Sequence, residues 1–147
     1  MTSKRLHLLL AVGLVACQSP PESRVPGAGE AASETDVWQR ARLRGVSFRA
    51  VGQEPGWLLE ITEGTEILLV TDYGSKRSSL PYVEPLVTPE ARRMSYALEA
   101  HDTVVEIRGE PCRDVMSGEA FPIAVLIRQP GRELEGCGRA LARSWPW

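Results

Sequence analysis

Residues 46–62 read Val-Ser-Phe-Arg-Ala-Val-Gly-Gln-Glu-Pro-Gly-Trp-Leu-Leu-Glu-Ile-Thr. Val46, Phe48 and Ala50 alternate with Ser47, Arg49 and Val51, and Trp57, Leu59 and Ile61 alternate with Leu58, Glu60 and Thr62. A period of two places one set on each face of an extended strand. Gly52-Gln53-Glu54-Pro55-Gly56 lies between the two runs and is built from residues that punctuate strands. The segment therefore reads as two strands with a connection between them. Pro55 biases Glu54 towards extended backbone, and Trp57 restarts the strand.

The same rhythm continues downstream. Ile67 to Val70 is a short apolar run, Met94, Tyr96 and Leu98 alternate with polar or small residues, and so do Val105 and Ile107. Ile123 to Ile127 is another run, and Leu134 to Leu141 is a candidate for the last strand. Turn formers separate these segments at Glu63-Gly64, Asp72-Tyr73-Gly74-Ser75, His101-Asp102 and Gln129-Pro130-Gly131. Short strands at this spacing predict an all-β fold, a small antiparallel β-barrel or barrel-like sandwich of about seven or eight strands. Its expected core is Phe48, Trp57, Leu59, Ile61, Leu69, Tyr96, Leu98, Val105, Ile107, Val125 and Ile127. Upstream, Ser33-Glu34-Thr35-Asp36 forms a capping-box pattern, Val37, Trp38 and Ala41 share a helical face, and Gly45 is a stop. A short N-terminal helix over about 35–44 is expected. Residues 35–147 are enough for one domain with one modest core.

The first residues have a different character. Lys4 and Arg5 precede an apolar run from Leu8 to Val15, and Leu14-Val15-Ala16-Cys17 closes it. A run so short cannot span a bilayer core, which takes about 20 residues, so 1–16 reads as a secretory signal. A Cys after Leu-Val-Ala resembles the lipobox of bacterial lipoproteins. That resemblance implies cleavage before Cys17 and a lipid on its thiol, with further acylation of the new amine making the anchor stable. Gln18 in place of an Asp implies, for a Gram-negative source, the outer membrane facing the periplasm. Residues 17–34 carry Pro, Gly, Ala, Ser and Glu with Val25 as the one large apolar residue. Such a stretch cannot bury enough surface to order itself and is expected to be a disordered tether with a reach of about 20–25 Å.

Removal of 1–16 leaves 15 basic and 19 acidic residues, a net charge of −4. A mildly acidic domain gives no electrostatic reason to expect nucleic acid as a partner. With Cys17 assigned to the lipid, Cys112 and Cys137 remain as an even pair in an exported domain and read as one disulfide. The alternative is a metal site, but two thiols alone do not make one. Neither a metal-ligand cluster nor a glycine-rich phosphate loop is present, so no cofactor is expected.

Two segments stand out from the strand pattern. Phe48 to Trp57 contains F-x-A-x-G-x-E-P-x-W, and Cys112 to Pro122 contains C-x-D-x-M-S-x-x-x-F-P, followed by Gly136-Cys137. Together these are similar to a family of uncharacterised bacterial envelope lipoproteins, over about residues 46–140. The family usually carries an aromatic where Gly56 stands here. The resemblance implies no activity, cofactor or ligand. From the residues themselves, Glu54 and Trp57 read either as an exposed binding face or as a plain hairpin with a core Trp. Asp114, Met116, Ser117 and Gly118 read either as a disulfide-braced structural turn or as a stiff loop that presents a fixed surface. A stiff loop loses less entropy on binding.

The function expected is that of a non-catalytic binding or interaction module, anchored to the membrane through Cys17, with an envelope protein or a glycan as partner. Two alternatives stand beside it. Ser117-Gly118-Glu119-Ala120-Phe121 is similar in outline to the Ser-Gly-x-x-aromatic loop of membrane-bound inhibitors of C-type lysozyme. A hydrolase acting on wall or glycan material would draw on Ser117 with His101, or on a carboxylate pair among Glu54, Asp114 and Glu119. No nucleophile-elbow sequence supports that last reading.

Overall fold

The computed structural model describes residues 34–147, with side chains described from Val37 onwards except at Ala100. The expected signal 1–16, Cys17 and nearly all of the tether 17–34 lie outside the described residues, as does Ser33 of the capping box. Helix α1 (Glu34–Leu43) is followed by β1 (Phe48–Gln53), β2 (Gly56–Thr62), β3 (Glu66–Thr71) and β4 (Lys76–Pro81). Then come β5 (Leu86–Thr88), β6 (Arg93–Leu98), β7 (Thr103–Arg108), β8 (Cys112–Arg113), β9 (Ala120–Phe121), β10 (Ile123–Gln129) and β11 (Arg132–Ala140). Single 3-10 turns at Asp72–Gly74, Pro89–Ala91 and Glu99–His101 join strands, the first and third where turn formers were expected.

Nine strands form one antiparallel sheet in the order β4-β3-β2-β1-β11-β10-β7-β6-β5, curled like half a barrel, and β8 and β9 form a separate two-stranded ribbon. The all-β, barrel-like class is as expected, but the strand count is higher. Part of the excess is the ribbon, which lies where sequence patterning showed only a turn. The rest comes from β4 and β5. Every neighbour in the sheet is antiparallel, so passing round it from β4 to β5 restores the original direction. The two therefore run the same way, one at each edge of the sheet, with residues 82–85 between them. The first pairs with β3 (Ile67 opposite Leu80) and the second with β6 (Val87 opposite Met94). The sheet is thus a meander closed by β11 on β1 and left open between its edges, β4 and β5.

The concave face is the core. Phe48 and Ala50 of β1, Trp57, Leu59 and Ile61 of β2, Ile67 and Leu69 of β3, Leu80 of β4, Met94, Tyr96 and Leu98 of β6, Val105 and Ile107 of β7, the odd-numbered Ile123 to Ile127 of β10 and Leu134 of β11 form one buried cluster. Every residue expected in the core is in it. The period of two explains why: once one inward residue is fixed, its strand follows.

Trp57 is the residue around which this face is cut. It is paired across β1–β2 with Gly52. A Cβ on Gly52 would lie 2.1 Å from Trp57 Nε1, and one on Gly136 would lie 2.5 Å from Trp57 Cζ2 and 2.2 Å from the Val51 carbonyl oxygen. The indole thus fills the volume that two missing side chains leave on β1 and β11. Its N–H donates to the Glu135 carbonyl at 3.2 Å, so the one polar atom of the ring is satisfied. Trp57 is 4% exposed.

On the convex side, α1 and the ribbon cover β1 and β11. Trp38 is buried with Phe121 and Cys137, and Val37, Val51, Cys112 and Leu141 pack beside them. Trp38 and Phe121 have ring centroids 5.5 Å apart, and the Arg139 guanidinium carbon lies 4.7 Å from each ring. The Arg49 guanidinium lies 5.3 Å from the Trp38 ring. Helix α1 is thus held by an aromatic set among cations, a contact that stabilises through the ring quadrupole. The same face holds Glu60, buried between Arg44, which donates to both carboxylate oxygens at 2.9 Å, and Arg49. Several of the arginines that look scattered in sequence, among them Arg93, Arg108 and Arg128 around Glu106, are partners in such pairs.

The registers also place the loops. The connections at 53–56, 72–75, 99–102 and 129–132 lie at one end of the curl, here called the upper end. Those at 62–66, 81–85 and 89–92 lie at the lower end with the C-terminal residues.

Candidate functional site

The two segments singled out by sequence meet, although about sixty positions separate them. Gln53 and Glu54 at the upper end of β1, and Cys112, Arg113, Asp114 and Val115 of the ribbon and its loop, line one groove of about 500 Å³. Its floor is the outer face of β10 and β11, with Ala124, Glu133 and Glu135.

Two constraints hold the ribbon in place. The first is the disulfide between Cys112 and Cys137, which ties β8 to the outward side of β11. The second is Asp114, buried at 6% exposure. Its Oδ2 accepts from the Ser117 backbone N–H and the Ser117 hydroxyl, both at 2.7 Å. The Gly118 N–H donates to the Asp114 carbonyl and the Asp114 N–H to the Glu119 carbonyl, each at 2.9 Å. Gly118 has φ of +71°, which a Cβ would oppose. Asp, Ser and Gly at these positions therefore do the usual work of turn formers. Arg113 adds a bond from its guanidinium to the Gly118 carbonyl at 2.5 Å.

Burial pushes the Asp114 carboxyl up, but hydrogen bonds from the Ser117 backbone and hydroxyl, the Gln53 side chain and the Met116 backbone outweigh it and hold its pKa below the usual Asp value. The Gln53 contact couples the two sequence segments directly. A depressed folded-state pKa means that the ionised carboxylate stabilises the loop above the unfolded Asp value of about 3.9. That contribution is lost as pH falls through the lower folded value. An NMR titration of the Asp114 side-chain carbon should give a midpoint below 3.9, and Ser117→Ala should raise it. A midpoint at or above the ordinary value would show that these bonds do not carry the loop.

The loop's tip is apolar and open to solvent: Val115 is 84% and Met116 70% exposed. At the far side of the groove Glu54 is exposed and accepts a bond from the Tyr73 hydroxyl at 3.2 Å. Tyr73, 72% exposed, lies with its ring over Gly56, where a Cβ would come within 2.7 Å of it. An aromatic from the β3–β4 connection thus takes the space next to position 56. Four carboxylates (Glu54, Asp114, Glu133 and Glu135) line the groove against two arginines, Arg108 and Arg113.

The site residues read from sequence divide as follows. Glu54, Asp114, Met116, Ser117 and Gly118 belong to the two loops that meet. Trp57 does not: it points into the core rather than onto an exposed face, because the inward phase of β2 and the space over Gly52 and Gly136 take it there. Sequence patterning missed Gln53, Val115 and Tyr73. Only Gln53 had a usable signal, since the alternation of β1 sends it outward beside Val51. Of Ser117 to Phe121, Ser117 and Gly118 are exposed, and Phe121 is buried against Trp38. His101 lines a different cleft, with Leu80, Val83 and Leu98, and Glu119 is paired with Arg139. The arrangement holds the Asp114–Gly118 loop in a fixed position beside the groove.

Comparison with known proteins assigns no family: no family model, no curated protein and no solved structure matches the chain. Among the described residues, no group of three or more His, Cys, Asp or Glu is placed to hold a metal ion, and no helix is long and apolar enough to cross a membrane.

Proposed function

We propose that this chain is a lipid-anchored protein of the cell envelope, held through Cys17 at the outer membrane, whose β domain is a non-catalytic binding module for an envelope partner. The observation that carries this reading is the convergence of the 53–54 and 112–115 segments on one groove, next to an exposed apolar tip at Val115 and Met116. Exposed apolar residues cost solvation free energy in the free protein and repay it on contact. A loop already fixed by a disulfide and a buried carboxylate gives up little entropy when it binds. The excess of carboxylates along the groove favours a partner that brings basic groups beside an apolar patch.

The test uses the full chain in cells, with a photoreactive amino acid replacing Met116 or, as a control, Leu43, which is 77% exposed on α1. Illumination is expected to give an adduct of defined mass from position 116 and not from 43. Equal labelling at both positions, or none at 116, would remove the groove from consideration. In the same cells, Cys17→Ser is expected to lose palmitate labelling and to leave the membrane fraction.

A further inference from the structure

A second cavity, of about 210 Å³, lies at the lower end of the curl, away from the groove just described. Tyr82, Tyr96 and Trp145 contribute aromatic rings to its lining, Met94 adds a thioether, and among the described residues Glu63 and Glu84 supply its charged groups. Among the described residues, no Lys, Arg or His lines it.

Its walls are well fixed. Trp145 stacks on the buried Phe48 ring at 4.7 Å, and Tyr82 meets Tyr96 edge-on at 6.2 Å. Ser47 ties the parts together. Its hydroxyl donates to the Ile61 carbonyl and accepts from the Glu63 N–H, both at 2.9 Å. Its own carbonyl accepts from the N–H groups of Leu141 and Ala142 at 2.8 and 3.1 Å. One buried serine thus sets the turn that carries Glu63 and the C-terminal segment that carries Trp145. The Tyr82 N–H donates to the Thr65 carbonyl at 3.2 Å, which brings the segment between β4 and β5 onto the same turn.

The electrostatics have one sign. Burial raises the Tyr82 hydroxyl pKa, and the carboxylates of Glu84 and Glu63 raise it further. Tyr96 is raised by burial first and then by Tyr82 and Glu63.

We propose that this cavity binds a small organic cation carrying a quaternary ammonium group. Aromatic faces attract such a cation, and the attraction grows when the site is desolvated. A primary ammonium brings three N–H donors and would turn to the Glu63 and Glu84 carboxylates and the lining hydroxyls rather than to the ring, thioether and proline surfaces. A quaternary ammonium has no N–H to satisfy, so it suits an aromatic interior with carboxylates. The volume is below the roughly 300–1,000 Å³ of drug-sized sites, which limits the ligand to a compact group. Such a group exists both as a free solute and as a phosphocholine lipid headgroup.

The test is calorimetric titration of the full chain with choline and, separately, with 3,3-dimethylbutan-1-ol, its neutral isostere. Choline is expected to bind saturably and about tenfold tighter than the isostere, as a desolvated cation–π contact requires. Glu63→Gln with Glu84→Gln, both at exposed positions whose change leaves the core intact, should weaken choline several-fold and leave the isostere unaffected. Tyr82→Ala should weaken choline further. Equal affinity for choline and the isostere, absence of saturable choline binding, or unchanged choline binding by the double Gln variant would overturn the proposal. Glycerophosphocholine separates the sources: affinity equal to or above that of choline assigns the headgroup, and lower affinity assigns the free solute.

Discussion

Truncating Trp57 to alanine will destabilise the β domain by about 3–5 kcal/mol, the range for emptying a buried aromatic site. The site cannot collapse to recover this. The indole rests where Gly52 and Gly136 have no side chains, and three adjacent strands would be left facing one void. The Glu135 carbonyl would also lose its donor. Against a total stability of about 5–15 kcal/mol, this is a large share. Urea melts of wild type and variant, read by far-ultraviolet circular dichroism, give the difference. A loss below about 1 kcal/mol would mean that the ring is not the keystone of the concave face.

Replacing Cys112 and Cys137 together by alanine is the second large effect. The bridge closes a loop with a sequence separation of 25, and removing it frees the unfolded chain by about 3 kcal/mol in the chain-entropy picture. The structure adds a spatial expectation. The ribbon is short, and its main apolar anchor is Phe121 against Trp38. Without the bridge the ribbon should loosen before the nine-stranded sheet does. Hydrogen exchange should therefore speed up at the N–H groups of Asp114 and Gly118 while those of β2 and β10 remain slow under conditions where the sheet stays folded. Uniform acceleration across both would show that the ribbon and sheet form a single cooperative unit.

Much of the fold was open to reading because alternation is strict where one face is buried. Phe48, Leu59, Val105 and Val125 each fix the phase of a strand, and their neighbours follow. The sequence was silent about β4, where Lys76, Arg77, Ser78 and Ser79 precede the single buried Leu80. A strand at an open edge is held by one partner and needs little apolar surface, so no rhythm marks it. Charge and Pro81 there also suit an exposed edge, since they discourage pairing with another chain. The ribbon went unseen for a related reason: two residues per strand cannot display a period.

The groove was half visible. Asp114, Ser117 and Gly118 announce a turn, and Glu54-Pro55 a connection, but nothing local says that the two touch. That contact depends on the outward phase of Gln53 and on which strand carries the second cysteine. Trp57 was legible as a strand residue and as a core residue. Its place on an exposed face was not consistent with that phase. The aromatic cavity was invisible, because Glu63, Tyr82, Tyr96 and Trp145 come from four separate stretches and are gathered by the curl.

The pairing of β1 with β11 has a bearing on how the chain folds. Phe48 faces Ala140, so the first and last strands meet in the middle of the sheet, while the open seam falls between strands that are near in sequence. A chain made from its N-terminus can zip β1 to β4 as a local meander and, later, β5 to β7 as another. These two pieces have no shared hydrogen bonds until β10 and β11 arrive and join them. The slow, high-contact-order step is therefore the final one. Until then, the outer side of β1, with Val51, and the space beside Trp57 stand uncovered, and the last strand to be made is the one that turns two half-sheets into a single cooperative domain.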